Sequence, residues 1–201
     1  MSEPDKVKVV LVGETGVGKT SIINQFAEGK FDPGTVTSIT GQFSQKTLDF
    51  PDGKSLKFDL WDTAGQEKYR SMSKIYYRDA NVVILVYDIT NQKSFDELKE
   101  YWFKEIKQNG NEDVILAIAA NKSDLFDEMK VTNEIGEALA KEKNAIFQST
   151  SAKNDKGIKT LFENIGNKIL GSNKNPVGNG EKKGVDLTGQ NDKVNEKKKC
   201  C

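Results

Sequence analysis

The chain has 201 residues, 36% hydrophobic and 30% charged, enough for one compact domain with a real core and a polar tail. Thirty basic residues balance thirty acidic ones, so no net field draws the whole chain to nucleic acid. Histidine is absent, which excludes histidine general bases, histidine triads and the commonest zinc ligand.

Residues 1–5 form a short polar extension without the apolar stretch of a signal peptide, and Ser2 stands where a myristoyl acceptor would need glycine. Residues 7–12 (Val-Lys-Val-Val-Leu-Val) read as a mostly buried strand that Gly13 ends. Residues 42–50 and 55–60 flank Pro51-Asp52-Gly53 and predict an antiparallel hairpin at a sheet edge. Residues 81–87, 114–119 and 145–148 predict three further strands. Between and after them, residues 93–109 carry Phe95, Leu98, Trp102, Phe103 and Ile106 at helical spacing, and residues 158–170 carry Leu161, Phe162, Ile165 and Ile169 likewise. Strand–helix alternation of this kind implies an α/β fold: a six-stranded, mostly parallel sheet with one antiparallel edge strand and helices on both faces. No apolar run approaches the ~20 residues of a membrane helix. The domain is expected over residues 6–170, and residues 171–201, rich in Asn, Gly and Lys, read as a disordered tail.

Three segments carry chemistry. Residues 13–20, Gly-Glu-Thr-Gly-Val-Gly-Lys-Thr, match the phosphate-loop pattern between a predicted strand and a predicted helix. Its glycines let successive N–H groups face phosphate oxygens, Lys19 adds a compact cation, and the Thr20 hydroxyl can ligate Mg²⁺. Thr15, Gly16, Val17, Gly18 and Ser21 complete the expected cradle. ATPases and nucleotide kinases share this loop, so the base is decided elsewhere. Asn121-Lys122-Ser123-Asp124 follows the fifth strand, where ligands bind in open α/β sheets. A carboxylate at Asp124 accepts from both the ring N–H and the exocyclic amine of guanine, a donor pair that adenine lacks. Ser151, Ala152 and Lys153 follow the last strand, and their backbone amides face the guanine carbonyl in this reading.

With these three segments in order, residues 6–170 resemble a Ras-superfamily small GTPase with a P-loop. Trp61-Asp62-Thr63-Ala64-Gly65-Gln66-Glu67 is similar to that family's second phosphate-side motif. The resemblance implies bound GTP or GDP with Mg²⁺, a water-mediated Mg²⁺ contact at Asp62, a γ-phosphate sensor at Gly65, and Gln66 orienting the attacking water. It also implies Phe31 over the guanine edge. In the first switch the sequence departs from the family, reading Ser38-Ile39-Thr40-Gly41 where Rab proteins usually read Thr-Ile-Gly. Ser38 is the expected Mg²⁺ ligand, and Thr37 or Thr40 replaces it if the loop shifts register. Thr15, where Ras has glycine, implies normal or somewhat slow hydrolysis. No arginine precedes Gly41, so the transition-state arginine is expected in trans from a GTPase-activating protein.

Within the superfamily the chain resembles the Rab branch. Residues 66–72 and Tyr76-Tyr77-Arg78 are similar to the Rab second switch, and Phe43, Trp61 and Tyr76 match the aromatic triad that effectors read; ordinary core packing is the alternative account of those three. Residues 85–125 lean towards the early-endosomal Rabs. The adjacent Cys200 and Cys201 cannot staple a fold, and beside Lys197-Lys198-Lys199 they resemble a double geranylgeranylation signal. The tail holds seven lysines against Glu181, Asp186, Asp192 and Glu196, with its basicity at the tip. Family similarity implies an exchange factor, an activating protein, effectors, an escort protein and a dissociation inhibitor as partners of a monomer on the cytoplasmic face of an endomembrane.

Overall fold

The computed structural model describes residues 4–34, 42–63 and 76–171. Six strands form one sheet: β1 (Asp5–Val12), β2 (Gln42–Asp49), β3 (Ser55–Asp62), β4 (Val82–Asp88), β5 (Ile115–Asn121) and β6 (Ile146–Ser149). Their spatial order is β2-β3-β1-β4-β5-β6, and every neighbouring pair is parallel except β2 with β3. The expected architecture is the observed one. Strand β1 starts at Asp5, inside the segment read as an extension, because Asp5 and Lys6 pair with Leu56 and Lys57 although neither is apolar.

The pleat divides the core. Val7, Val9 and Leu11 of β1, with Val82, Ile84 and Val86 of β4, face one layer; Val10 and Val12, with Val83, Leu85 and Tyr87, face the other. Both β1 and β4 are therefore apolar on two faces, the mark of strands covered on both sides. The first face is closed by α1 (Lys19–Glu28), through Ile22, Ile23 and Phe26, and by a C-terminal helix (Ile158–Ile169) through Leu161, Phe162 and Ile165. Phe26 stacks on Phe162 with ring centroids 3.6 Å apart, and Phe58 meets both edge-on. Fully burying side chains of this size stabilises by roughly 1.5–3 kcal/mol each.

On the second face, the single helix expected over residues 93–109 is three pieces: α2 (Gln92–Glu97), a π-helical stretch (Leu98–Trp102) and α3 (Phe103–Asn109). Trp102 and Phe103 are adjacent in sequence and both buried, at 4% and 7% exposure, which a strict 3.6-residue period does not favour. Widening the turn brings both onto the sheet. A 3₁₀ turn (Phe126–Glu128), α4 (Asn133–Glu142) and the C-terminal helix, here α5, complete the order. The five parallel strands β1, β3, β4, β5 and β6 point their carboxyl ends to one edge, and there the loops after β1, β4, β5 and β6 converge.

Candidate functional site

The loop after β1 is shaped by its glycines. Gly18 holds φ 96° and caps α1, and a Cβ there would overlap the Asn121 side-chain nitrogen. Gly13, at φ 141°, lies so close to the Val86 carbonyl that no side chain fits. Lys19, 5% exposed, folds back so that Nζ donates to the Gly13 and Glu14 carbonyls at 2.9 Å each. Burial pulls its ammonium down to about 8, against the opposing pull of Asp62 and Glu14. An anion bound in the loop would restore that charge.

Beside it the Thr20 hydroxyl donates to Asp62 Oδ2 at 2.5 Å, with Asp62 only 1% exposed at the end of β3. A hydroxyl and a carboxylate brought together next to a phosphate loop are hard oxygen donors, the chemistry of a small divalent cation that keeps its remaining positions for water and phosphate. The donor set fits Mg²⁺. Thr63, just past the end of β3, donates from Oγ1 to the Leu11 carbonyl at 2.7 Å.

The second half of the site is built on β5 and β6. Asn121 is 2% exposed and spans two loops: Nδ2 donates to the Val17 carbonyl at 2.8 Å, and Oδ1 accepts from Thr150 Oγ1 at 3.2 Å and the Ala152 N–H at 3.4 Å. Asp124 Oδ1 accepts from Ser151 Oγ at 2.6 Å, which orients the carboxylate and leaves its other oxygen for a ligand. Ser151 Oγ accepts in turn from the Asn154 N–H at 3.1 Å. Of the amides expected to face a guanine carbonyl, that of Ser151 is already committed to the Lys156 carbonyl at 2.9 Å, and that of Ala152 makes only the long contact to Asn121. The Ser151–Lys156 bridge thus holds the Ser151 amide within its own loop, while the Ser151 hydroxyl is the group set against Asp124.

Between these halves lies a cavity of about 280 Å³, lined by Gly16, Gly18 and Ser21, by Asn121, Lys122 and Asp124, by Ala152 and Lys153, and by Phe31. Segments up to 137 residues apart thus meet in one slot. Val17 and Ser151 are buried and Thr15 is exposed, and none of the three lines the cavity. Sequence reasoning missed Asp32, Pro33 and Leu125 in the lining, and Asp88, which pairs with Lys122. A carboxylate ending an otherwise apolar strand was the available signal for Asp88. Ser38, with its alternatives Thr37 and Thr40, and Gly65, Gln66, Cys200 and Cys201 lie outside the described residues.

Away from the slot, Phe43, Trp61 and Tyr76 form a row, with centroids 4.9 Å and 6.0 Å apart. Phe43 is 49% exposed, and Trp61 and Tyr76 are half-buried against the second core layer, so packing and surface display coexist. Tyr77, next to Tyr76 in the chain, is fully buried, with its hydroxyl donating to Glu105 Oε1 at 2.8 Å. Burial first, then that bond, pushes its ionisation well above the usual tyrosine range.

A phosphate loop, an Mg²⁺-type donor pair and a base slot with an oriented carboxylate, on a sheet of this order, define a guanine-nucleotide-binding protein. The chain matches the Ras family over residues 8–171, and it belongs to that family. It is 40% identical to mouse Ras-related protein Rab-22A, over 98% of each chain, and 41% identical to mouse Ras-related protein Rab-31, over 98% of this chain and 97% of that one. Yeast (Saccharomyces cerevisiae) Ras-related protein SEC4 is 39% identical over 97% of this chain and 91% of its own. Within the family it is a Rab small GTPase, and the likeness to Rab-22A and Rab-31 accords with the early-endosomal lean of residues 85–125. Proteins of this class bind GTP and GDP, generally with Mg²⁺, and act in vesicle traffic with exchange factors, activating proteins, effectors and dissociation inhibitors. No helix among the described residues is long and apolar enough to cross a membrane.

Proposed function

We propose that this chain is a nucleotide-timed switch: GDP and GTP exchange in the slot, and the GTP form recruits effectors for membrane traffic. One observation carries the reading. The Asn121 side chain ties the phosphate loop to the base loop, so the phosphate and guanine halves are one preassembled site. Asp124, held by Ser151, accepts from guanine; Lys122 and Phe31 flank the base; the Thr15–Thr20 amides and Lys19 take the phosphates. Thr20 and Ser38, with Asp62 through water, would hold Mg²⁺, which when bound would neutralise charge developing on the phosphate oxygens. Gln66 orients the attacking water, and Gly65 senses the γ-phosphate.

Phosphoryl transfer needs positioning and charge neutralisation more than covalent chemistry, so a chain without histidine suffices. With its arginine supplied in trans, unassisted turnover is slow, on the order of 10⁻⁴ to 10⁻³ s⁻¹ as for Ras, a relative. Two geranylgeranyl groups on Cys200 and Cys201, with the lysines before them, anchor the protein, since stable residence takes more than one lipid signal. An escort protein delivers the chain for lipidation, and a dissociation inhibitor maintains a cytosolic pool.

The test is nucleotide content and single-turnover hydrolysis of the purified protein with Mg²⁺, for wild type, Ser38→Ala and Gln66→Leu. Slow cleavage that both substitutions impair supports the switch with Ser38 as its latch. Retention of GTP without cleavage, unchanged by Gln66→Leu, makes the chain a GTP-binding scaffold instead. If Ser38→Ala alone changes nothing, Thr37 or Thr40 is the ligand to examine. Loss of membrane fractionation on deleting Cys200 and Cys201 supports the anchor, and an unchanged distribution refutes it.

A further inference from the structure

Asp88 is the last residue of β4, 6% exposed, in register with Asn121 of β5. Its Oδ2 accepts from the Lys122 ammonium at 2.6 Å, and its Oδ1 accepts from both the N–H and the hydroxyl of Thr90 at 2.8 Å. The backbone is fixed as firmly. Its N–H donates to Ser94 Oγ at 3.1 Å, and its carbonyl accepts from the Asn91 N–H at 2.9 Å. A carboxylate held this way cannot follow a moving lysine; the lysine must come to it.

Lys122 needs such an anchor. Its backbone sits at φ 65°, a left-handed conformation that side chains with a Cβ seldom adopt. Its side chain is 34% exposed and lines the base slot between Asn121 and Asp124. With Nζ fixed on Asp88, the four-carbon stem has both ends tied and forms a defined part of the slot wall. Without Asp88 the ammonium keeps three donors on a flexible stem, and the wall loses its shape.

Resting on the guanine-nucleotide reading of the slot, we propose that Asp88 is a positioning residue for nucleotide retention, acting through Lys122. It touches neither base nor phosphate. It sets how long a nucleotide stays and not which base is chosen, because Asp124 and Ser151 are held independently.

The experiment is release of N-methylanthraniloyl-labelled GDP and GTP from the full chain, for wild type, Asp88→Asn, Lys122→Met and the double variant. Asparagine keeps an acceptor for Thr90 but cannot form the ion pair. Charge-assisted bonds of this kind, discounted for partial exposure, predict off-rates about tenfold faster in each single variant, equally for GDP and GTP. The double variant should release no more than about twofold faster than Lys122→Met, since the two residues act as one unit. Multiplying effects would mean that Asp88 acts on the fold alone, and would overturn the proposal. Thr90→Val removes one bond to Asp88 while leaving the ion pair, so its off-rate should stay within about twofold of wild type; a rise matching Asp88→Asn also overturns it. If Asp88→Asn fails to fold, Asp88→Glu carries the same cycle, and its effect must vanish in Lys122→Met. Wild type that retains neither labelled nucleotide sinks the guanine reading itself, whereas retention unchanged by Asp88→Asn sinks only the role given to Asp88.

Discussion

Replacing Asn121 by alanine removes the side chain that joins the two halves of the site, and its cost can be worked from three hydrogen bonds. The 2.8 Å bond to the Val17 carbonyl is short, the 3.2 Å bond from Thr150 is ordinary, and the 3.4 Å contact from Ala152 is weak. Each is worth about 1 kcal/mol net, but the larger loss is the polar groups left behind in a buried setting, at about 1–3 kcal/mol each. Thr150 is fully buried and can re-bond only locally, so we expect a total near 3 kcal/mol. At 1.4 kcal/mol per decade that is roughly a 100-fold faster nucleotide off-rate. Asn121→Asp should be at least as damaging, because it sets a carboxylate oxygen against the Val17 carbonyl. Labelled-GDP release reads the first effect, and urea unfolding of nucleotide-free protein reads how much of it belongs to the fold. An off-rate within threefold of wild type, with an unchanged urea midpoint, would refute the bridging role.

Ser151→Ala frees Asp124 to rotate and should weaken GDP binding about tenfold by losing one charge-assisted bond, measured by titration calorimetry. Phe162→Ala empties the stack against Phe26 and Phe58 and should lower stability by about 3–5 kcal/mol in urea unfolding. For pH, Lys19 has a folded value of about 8 against an ordinary 10.5, so above pH 8 the unfolded chain binds more protons than the folded one. Nucleotide-free protein should therefore gain stability between pH 8 and 9.5, by up to about 2 kcal/mol at 1.36 kcal/mol per unit, before ordinary tyrosines ionise in the unfolded chain. With GDP bound, the phosphates keep Lys19 charged and the gain should disappear; equal urea midpoints at pH 8 and 9.5 without nucleotide would refute it.

Strand and helix identities were legible because they are local. The nearly continuous apolar runs of 7–12 and 81–87, and the apolar spacing of 158–170, state their own geometry, and a glycine pattern that must wrap a phosphate is written in eight consecutive residues. The chemistry was legible for the same reason: Asp124 and Lys19 are residue types whose purpose follows from what they can donate or accept. Boundaries were less so. Asp5 and Lys6 belong to β1 through pairing with β3, and the π-helical stretch exists because the sheet needs both Trp102 and Phe103 beneath it. Neither fact is carried by the residues around it.

By itself, then, the amino-acid order determined the element sequence, the phosphate-loop pattern, the Asn121–Asp124 tetrapeptide and the resemblance to Rab proteins, since each is written within a few residues. Tertiary structure alone decided which groups touch: Asn121 on Val17, 104 residues away; Thr20 on Asp62, 42 away; Lys122 on Asp88 across two strand ends. It also decided that the Ser151 hydroxyl bonds Asp124 while its amide bonds Lys156. The physical reason is register. Parallel strands are aligned by burial of their apolar faces, and only that alignment fixes which side chains meet at their carboxyl ends.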